Sequence, residues 1–103
     1  MTDPQKWEIW YAGFLFEDSD ESKDRPVLVV EVEGVIYVSA MITSHSTRPV
    51  WGDYDLTGWH SAGLDHPSTV RLSRVVPLKR ERFRKKIGDL PINDIINIQR
   101  IFY

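Results

Sequence analysis

Apolar segments separated by short polar stretches dominate the first part of the chain and predict β-strands. Residues 7–16 are rich in aromatic and aliphatic side chains, and Gly13 within them is typical of a bulge. Residues 26–32 form a β-branched run in which proline stands only at the start. Residues 35–42 return after the turn signal Glu33-Gly34, so the two segments are predicted to form an antiparallel hairpin.

Weaker patterns in the second half of the chain indicate further short strands. Residues 50–56 and 68–76 alternate between apolar and polar positions, as half-buried strands do. Residues 57–67 contain two glycines and predict a loop or a short helical turn. A helical turn over residues 79–83 and a brief edge strand over residues 84–87 are predicted next.

One helix is predicted at the end of the chain. Pro91 suits the start of a helix, and Asp94 then lies near the positive end of the helix dipole. The apolar residues that follow share one predicted helical face: Ile92, Ile95, Ile96 and Phe102. Short strands followed by one helix predict a mainly β (α+β) fold, a small curled antiparallel barrel with a C-terminal helix, formed by residues 1–103 as a single domain.

Composition narrows the possible functions. The chain has 103 residues, 42% of them hydrophobic, which suffices for one globular domain with a modest core. It contains no cysteine, so disulfides, thiolate nucleophiles and cysteine-based zinc sites are excluded. No apolar run is long enough to cross a bilayer, and the first residues lack a secretory signal. We therefore expect a cytoplasmic protein with no membrane partner.

Charge is distributed unevenly along the chain. The formal net charge of −2 argues against bulk attraction to nucleic acid. Acidic side chains crowd residues 17–24, whereas basic ones crowd residues 71–86. The basic run over residues 79–86 is either a path for phosphates or a solvated turn and edge strand guarded by charge, and its composition fits both interpretations equally well.

Residues that could bind or act on a phosphate lie at the ends of the predicted hairpin strands. Arg25 precedes one strand, and Thr43 and Ser44 close the next, so antiparallel pairing would bring them together at the sheet rim. A guanidinium grips phosphate oxygens in a planar fork, and hydroxyls beside it can position a neighbouring oxygen. Arg25 and Thr43 are therefore the predicted catalytic residues, and Ser44 a predicted contact. The alternatives are an ion pair between Arg25 and nearby acids, and a turn in which the hydroxyls bond their own backbone.

Arg71 and Trp51 are the other predicted contacts to a polyanionic ligand. Arg71 and Arg74 point to opposite sides of a strand because the side-chain period is two, so they cannot line one groove unless a bulge intervenes. Arg71 is the preferred phosphate contact, and the alternative is a solvated arginine on the surface of the strand. Trp51 alternates away from Tyr54, for which core packing is favoured, and is predicted to stack on an unpaired base.

Three histidines fall in predicted loops: His45, His60 and His66. Paired imidazoles can perform acid–base chemistry near neutral pH. His45 follows Thr43 by two positions and is the preferred participant, while His60 and His66 are more typical of ordinary loop residues. The histidine spacing does not match a metal-binding pattern, so no metal site is predicted.

The order and spacing of six segments make the chain similar to a known family. The segments are Glu8–Trp10, the Arg-Pro pair that opens Arg25–Val30, Ile42–Ser44, Trp59–Leu64, Pro67–Leu72 and Ile87–Leu90. Together they resemble the MazF/PemK family of bacterial toxin endoribonucleases over nearly the whole chain. The sequence departs from that family at Trp7, where relatives often have glycine, and at Ser73, where some have an acid.

The resemblance implies an SH3-like barrel that forms a homodimer and cleaves single-stranded RNA such as mRNA without a metal or other cofactor. In such enzymes the ribose 2′-hydroxyl attacks its own phosphate, which leaves a 2′,3′-cyclic phosphate and a 5′-hydroxyl. Arg25 would stabilise the charged transition state, and Thr43 would position a reacting group. The groove would bind RNA through Ser44, His45, Trp51 and Arg71, and an antitoxin would occupy it through an extended acidic segment.

Two other functions are open on the same fold. One is a non-catalytic barrel that binds and poisons a protein target such as a topoisomerase. The other is an inactive relative that only binds a partner. Ser73, and the absence from residues 17–24 of a histidine that some relatives carry, keep both possibilities open.

Overall fold

The structure is a computed structural model, and it describes residues 3–15, 22–44 and 52–102. The strands there are β1 (Glu8–Leu15), β2 (Ser22–Glu33), β3 (Ile36–Ser44), β4 (Asp53–Asp55), β5 (Ser68–Lys79) and β6 (Phe83–Asp89). A 3₁₀ turn at Arg80–Arg82 joins β5 to β6, and helix α1 (Ile92–Phe102) follows. Within these ranges, no helix has the length and apolar character needed to traverse a bilayer.

The strands form one antiparallel sheet in the order β4-β5-β3-β2-β1-β6. The prediction of a mainly β fold with a C-terminal helix is confirmed. The sheet stays open between its edge strands β4 and β6 over the described residues, so its shape is that of a curled, barrel-like sheet rather than a closed barrel.

Strand β2 lies at the centre of the packing because its apolar run is buried on both faces. Leu28 and Val30 pack into a cluster that includes Ile98 of α1. Val27 and Val29 point the other way, into a second cluster built around Trp10, Tyr37, Leu78 and Phe83. A strand with both faces buried has no polar alternation. This burial explains why residues 27–30 are all valine or leucine.

The predicted hairpin forms with its turn shifted by one residue. Strand β2 ends at Glu33 and β3 begins at Ile36, so the turn residues are Gly34 and Val35. Gly34 has φ of 59°, in the left-handed region that glycine enters without steric cost. The prediction of a brief edge strand over 84–87 is also confirmed, although β6 is longer and pairs with β1.

The predicted apolar face of the helix is wrong in part. Ile92 and Ile96 are 66% and 42% exposed, whereas Ile98 and Asp94 are fully buried. Ile95 packs against the core as expected, and the side chain of Phe102 lies outside the described residues. The helix is rotated relative to the prediction because hydrogen bonds to Asp94 turn that side of α1 inward.

Trp7 has a backbone conformation that glycine adopts more readily than other residues. Its φ is 73°, a conformation that costs an L-residue about 1–2 kcal/mol and glycine nothing comparable. The residue nevertheless holds two backbone hydrogen bonds, donating to Val29 and accepting from Leu90. Its indole packs against the core cluster, so burial and hydrogen bonding offset the backbone strain.

Candidate active site

The register of the sheet brings Arg25 and Thr43 to the same place. Val27 of β2 lies opposite Met41 of β3 in the antiparallel ladder. Extending that register by two residues puts Arg25 opposite Thr43. Directly opposed residues have Cβ atoms about 4.5–5.5 Å apart and point to the same side of the sheet. The guanidinium and the hydroxyl therefore share one part of the sheet rim, as the sequence predicts.

Both side chains line a cavity of about 240 Å³ at this rim. We call it the rim cavity. It is lined by Tyr11 of β1, Arg25 and Pro26 of β2, Ile42, Thr43 and Ser44 of β3, residues 63–66 of the β4–β5 loop, and Ser68 of β5. A cationic fork, several hydroxyls and an imidazole thus surround a space that is open to solvent. That combination suits an anionic ligand with exposed oxygens.

His66 joins the rim cavity through a direct contact with Ser44. Its Nε2 lies 3.2 Å from the Ser44 hydroxyl oxygen, and both residues are exposed. Ser44 pairs with Ser68 in the β3–β5 ladder, so His66, two positions before the start of β5, lies beside the end of β3. The sequence analysis did not predict this contact. Knowing that β3 pairs antiparallel with β5 would have indicated it.

Close backbone packing fixes the loop that carries His66. A Cβ on Gly88 of β6 would lie 2.2 Å from the carbonyl oxygen of Ala62. Gly63 has φ of 93°, and a Cβ there would lie 2.7 Å from the carbonyl oxygen of Ile87. The loop can approach β6 this closely only because both positions are glycine. One wall of the rim cavity is therefore held by backbone contacts to β6.

Asp94 anchors the start of the same loop. The buried carboxylate accepts hydrogen bonds from the Tyr54 hydroxyl at 2.5 Å, the Thr57 amide at 3.0 Å and the Gly58 amide at 2.9 Å. The Thr57 hydroxyl also donates to it at 2.8 Å, and Asn97 donates to the Tyr54 oxygen at 3.1 Å. We call these five residues the Asp94 cluster. Its donors satisfy the carboxylate within the protein.

The hydrogen bonds determine how the Asp94 cluster ionises. Burial alone would raise the pKa of Asp94, but the bonds from Tyr54, Thr57 and Gly58 outweigh it and lower that pKa below its ordinary value. Burial raises the pKa of Tyr54, and the neighbouring Asp94 carboxylate raises it further. The arrangement keeps Asp94 ionised and Tyr54 protonated, which favours a structural role for both.

Arg71 lies near the rim cavity without lining it. It pairs with Met41 in the ladder, and its Nε lies 3.9 Å from an Asp53 carboxylate oxygen. The register places Arg71 on the face of the sheet that carries Thr43, two pairs further along the strand. A bulge separates Arg71 from Val75, which faces Ala40, so the side chains of Arg71 and Arg74 do not follow simple alternation.

Ion pairs occupy several members of the basic run. Arg80 contacts Asp3 at 3.0 Å, and Arg84 contacts Asp24 at 3.5 Å. Lys86 bridges Glu8 at 2.9 Å and Asp89 at 3.1 Å, and these hydrogen bonds raise the pKa of Lys86. The contacts favour the interpretation of this run as a charged edge strand.

Two of the predicted contacts, His45 and Trp51, lie outside the described residues. The structure thus brings together Arg25, Thr43 and Ser44 among the predicted site residues, and leaves Arg71 at a neighbouring position. It adds Tyr11, Asp65 and His66 to the lining of the rim cavity.

Comparison with known proteins gives one informative match. Residues 5–102 match the model of a family described as PemK-like, MazF-like toxin of type II toxin-antitoxin system. The match spans all six strands and the helix, including every residue that lines the rim cavity. No curated protein matched the chain.

Proposed function

We propose that this chain is a sequence-selective endoribonuclease acting on single-stranded RNA. It belongs to the PemK-like, MazF-like toxins of type II toxin–antitoxin systems. Cleavage would proceed without a metal and leave 2′,3′-cyclic phosphate and 5′-hydroxyl ends. The observation that carries the proposal is the convergence of Arg25 and Thr43 on the rim cavity.

Arg25 is the electrostatic stabiliser of the proposed reaction. Attack of the 2′-hydroxyl builds negative charge on the phosphate oxygens, and a cation placed in advance stabilises that charge without reorganising. The side chain is half-buried at the cavity, which limits the space that its guanidinium can sample. Removing one such stabilising donor typically lowers the rate by roughly 10²–10³-fold.

The hydroxyl groups have positioning roles in this proposal. Thr43, opposite Arg25, orients the scissile phosphate, since an unaided threonine is a poor base. Ser44 hydrogen-bonds a phosphate oxygen beside it. Arg71, on the same face of the sheet, is a secondary phosphate contact. His45 and Trp51 stay predicted contacts of the RNA.

The charge of the chain is compatible with RNA binding of moderate strength. A single strand bound through about three phosphates gives a salt slope of about −2, which needs no positive total charge. The formal net charge is −2, and the ion pairs of Arg80, Arg84 and Lys86 reduce the number of cations available for nonspecific binding. Local recognition at the cavity is therefore favoured over coating of nucleic acid.

Membership in a type II toxin family implies an antitoxin protein as a partner. We propose that the antitoxin covers the rim cavity with an extended acidic segment whose carboxylates take the place of RNA phosphates at Arg25. We also propose that the toxin is a homodimer acting in the cytoplasm, where its RNA substrate lies.

The decisive experiment is incubation of purified protein with mixed RNA, with and without a chelator, followed by mapping of the fragment ends. The proposal predicts 2′,3′-cyclic phosphate and 5′-hydroxyl ends in both conditions. RNA that stays intact would instead favour a barrel that poisons a protein target, or an inactive partner-binding relative. Cleavage that requires added metal would contradict the proposed chemistry.

A further inference from the structure

We propose that His66 is the general base that removes the proton from the attacking 2′-hydroxyl. This proposal rests on the proposed ribonuclease function and supplies a group that the reaction needs. Neither Arg25 nor Thr43 is suited to accept that proton, because a guanidinium is already protonated and an alcohol is a weak base.

The geometry places His66 at the reacting centre. Its imidazole lines the rim cavity together with Arg25 and Thr43, and its Nε2 contacts the Ser44 hydroxyl at 3.2 Å. Ser44 closes β3 and lines the same cavity as Arg25 and Thr43, so the imidazole lies at the end of β3 where the phosphate is proposed to lie. The ring is exposed, and a ribose hydroxyl can therefore approach it.

Chemistry selects His66 from the groups that line the cavity. Among the residues that the structure describes, the titratable and charged groups there are Tyr11 from β1, Arg25 from β2, and Asp65 and His66 from the β4–β5 loop. A phenol is protonated at neutral pH, and a carboxylate is a weaker base than an imidazole. An imidazole titrates close to neutral pH, where a general base is most efficient. Asp65 is the competing candidate, so the experiment includes it.

The proposed step balances as follows. The 2′-hydroxyl takes the place of the Ser44 hydroxyl at Nε2 and transfers its proton to the imidazole. Its oxygen forms a bond to phosphorus while the bond from phosphorus to the 5′-oxygen breaks. The 5′-oxygen leaves with the electron pair and takes a proton from water, and the hydroxide that remains takes the proton from the imidazolium, which returns His66 to its neutral form. Ser44, displaced from His66, then donates its own hydrogen bond to a phosphate oxygen, and Arg25 stabilises the charge on the others.

The test is single-turnover cleavage of RNA between about pH 5 and pH 8, since imidazole groups titrate in that range. His66→Gln keeps a polar side chain of similar size that cannot accept a proton there. His60→Gln is the matched control, because His60 is an exposed loop histidine that packs edge-on against Trp59 and does not line the cavity. Thermal unfolding of each variant monitors folding.

We expect wild type and His60→Gln to share a rate that rises with pH and then levels as the base loses its proton. His66→Gln should be slower by about 10²–10⁴-fold, the usual contribution of a general base, and should lose the rise with pH. Added imidazole should restore cleavage to His66→Ala, because the site is open to solvent.

Three results would overturn the assignment while leaving the proposed function intact. The first is a His66→Gln rate within about threefold of wild type or with the same pH dependence, since a general base contributes far more. The second is an Asp65→Asn variant that abolishes the pH dependence while His66→Gln retains it. The third is a His66→Ala variant that imidazole leaves unchanged. Intact RNA with wild type would overturn both the assignment and the proposed function.

Discussion

Two polar groups of residues, the Asp94 cluster and the rim cavity, lie at opposite ends of the same loop and differ in how their hydrogen bonds are satisfied. In the Asp94 cluster, Tyr54, Thr57 and Gly58 donate to a fully buried carboxylate. At the rim cavity, the exposed side chains of Ser44 and His66 contact each other at 3.2 Å and face solvent.

The difference separates stabilising residues from candidate functional residues. A buried polar group that lacks its partners costs about 1–3 kcal/mol, so a closed network such as the Asp94 cluster stabilises the fold. An exposed contact contributes little, so stability alone gives small reason to bring Ser44 and His66 together at the cavity. We therefore expect substitutions in the Asp94 cluster to lower stability, and substitutions at the rim cavity to lower activity with little change in stability.

Among the hydrogen-bonding and charged residues of the proposed function, the largest expected effect on activity comes from Arg25→Ala. Loss of the cation should lower single-turnover RNA cleavage by about 10²–10³-fold, because charge on the phosphate oxygens is no longer stabilised. Thermal unfolding should stay close to that of wild type. Arg74→Ala, which removes an exposed arginine from the same sheet, is the matched control and should cleave normally. Equal cleavage by wild type and Arg25→Ala would contradict the assignment.

Asp94→Ala should have the largest effect on stability. The substitution leaves the Thr57 and Gly58 amides and the Tyr54 hydroxyl without their acceptor, so we expect a loss of about 2–4 kcal/mol in the free energy of unfolding. Urea denaturation measures this directly. A loss below about 1 kcal/mol, the net value of a single ordinary hydrogen bond, would show that the cluster is not a structural anchor.

Gly88→Ala tests how β6 packs against the loop that connects the Asp94 cluster to the rim cavity. The added Cβ would collide with the Ala62 carbonyl oxygen, so the loop must shift, at an expected cost of about 1–3 kcal/mol. Because the same loop carries His66, cleavage should fall together with stability.

Gly34→Ala is the matched control for that substitution. Nothing lies within 4 Å of its Cβ position, so the cost is limited to about 1 kcal/mol from its positive φ. Normal cleavage by Gly88→Ala would show that the loop packing does not position the cavity wall.

The smallest effect concerns pH. The pKa of Asp94 is lower in the folded protein than its ordinary value of 3.8, because hydrogen bonds outweigh the opposing effect of burial. The carboxylate therefore contributes stability above pH 3.8, and this contribution is lost as the pH falls through the lowered value. The stability difference between wild type and Asp94→Asn, measured by urea denaturation, should shrink below that pH. A difference that stays constant in acid would contradict the shift.

Local patterns predicted the parts of the molecule that depend on neighbouring residues. The β2–β3 hairpin follows from two apolar runs around Gly34, and the approach of Arg25 to Thr43 follows from antiparallel pairing alone. These features need no knowledge of distant contacts.

The sequence analysis did not predict the features that depend on contacts between residues far apart in the chain. Asp94 bonds residues 36 to 40 positions earlier, so helix periodicity could not reveal that its side of α1 faces inward. The contact between Ser44 and His66 spans 22 positions and needs the pairing of β3 with β5. The bulge before Val75 likewise depends on how β5 fits against β3. Such packing is set by tertiary contacts, which override local propensity.

The central claim is that Arg25 and Thr43 act on one phosphate. A double-mutant cycle of Arg25→Ala and Thr43→Ala, measured by single-turnover cleavage, tests it most directly. Groups that act as a unit are strongly non-additive, so the double variant should lose little more activity than Arg25→Ala alone. A double variant whose loss equals the product of the two single losses would show that the residues act independently, and would contradict a shared catalytic centre.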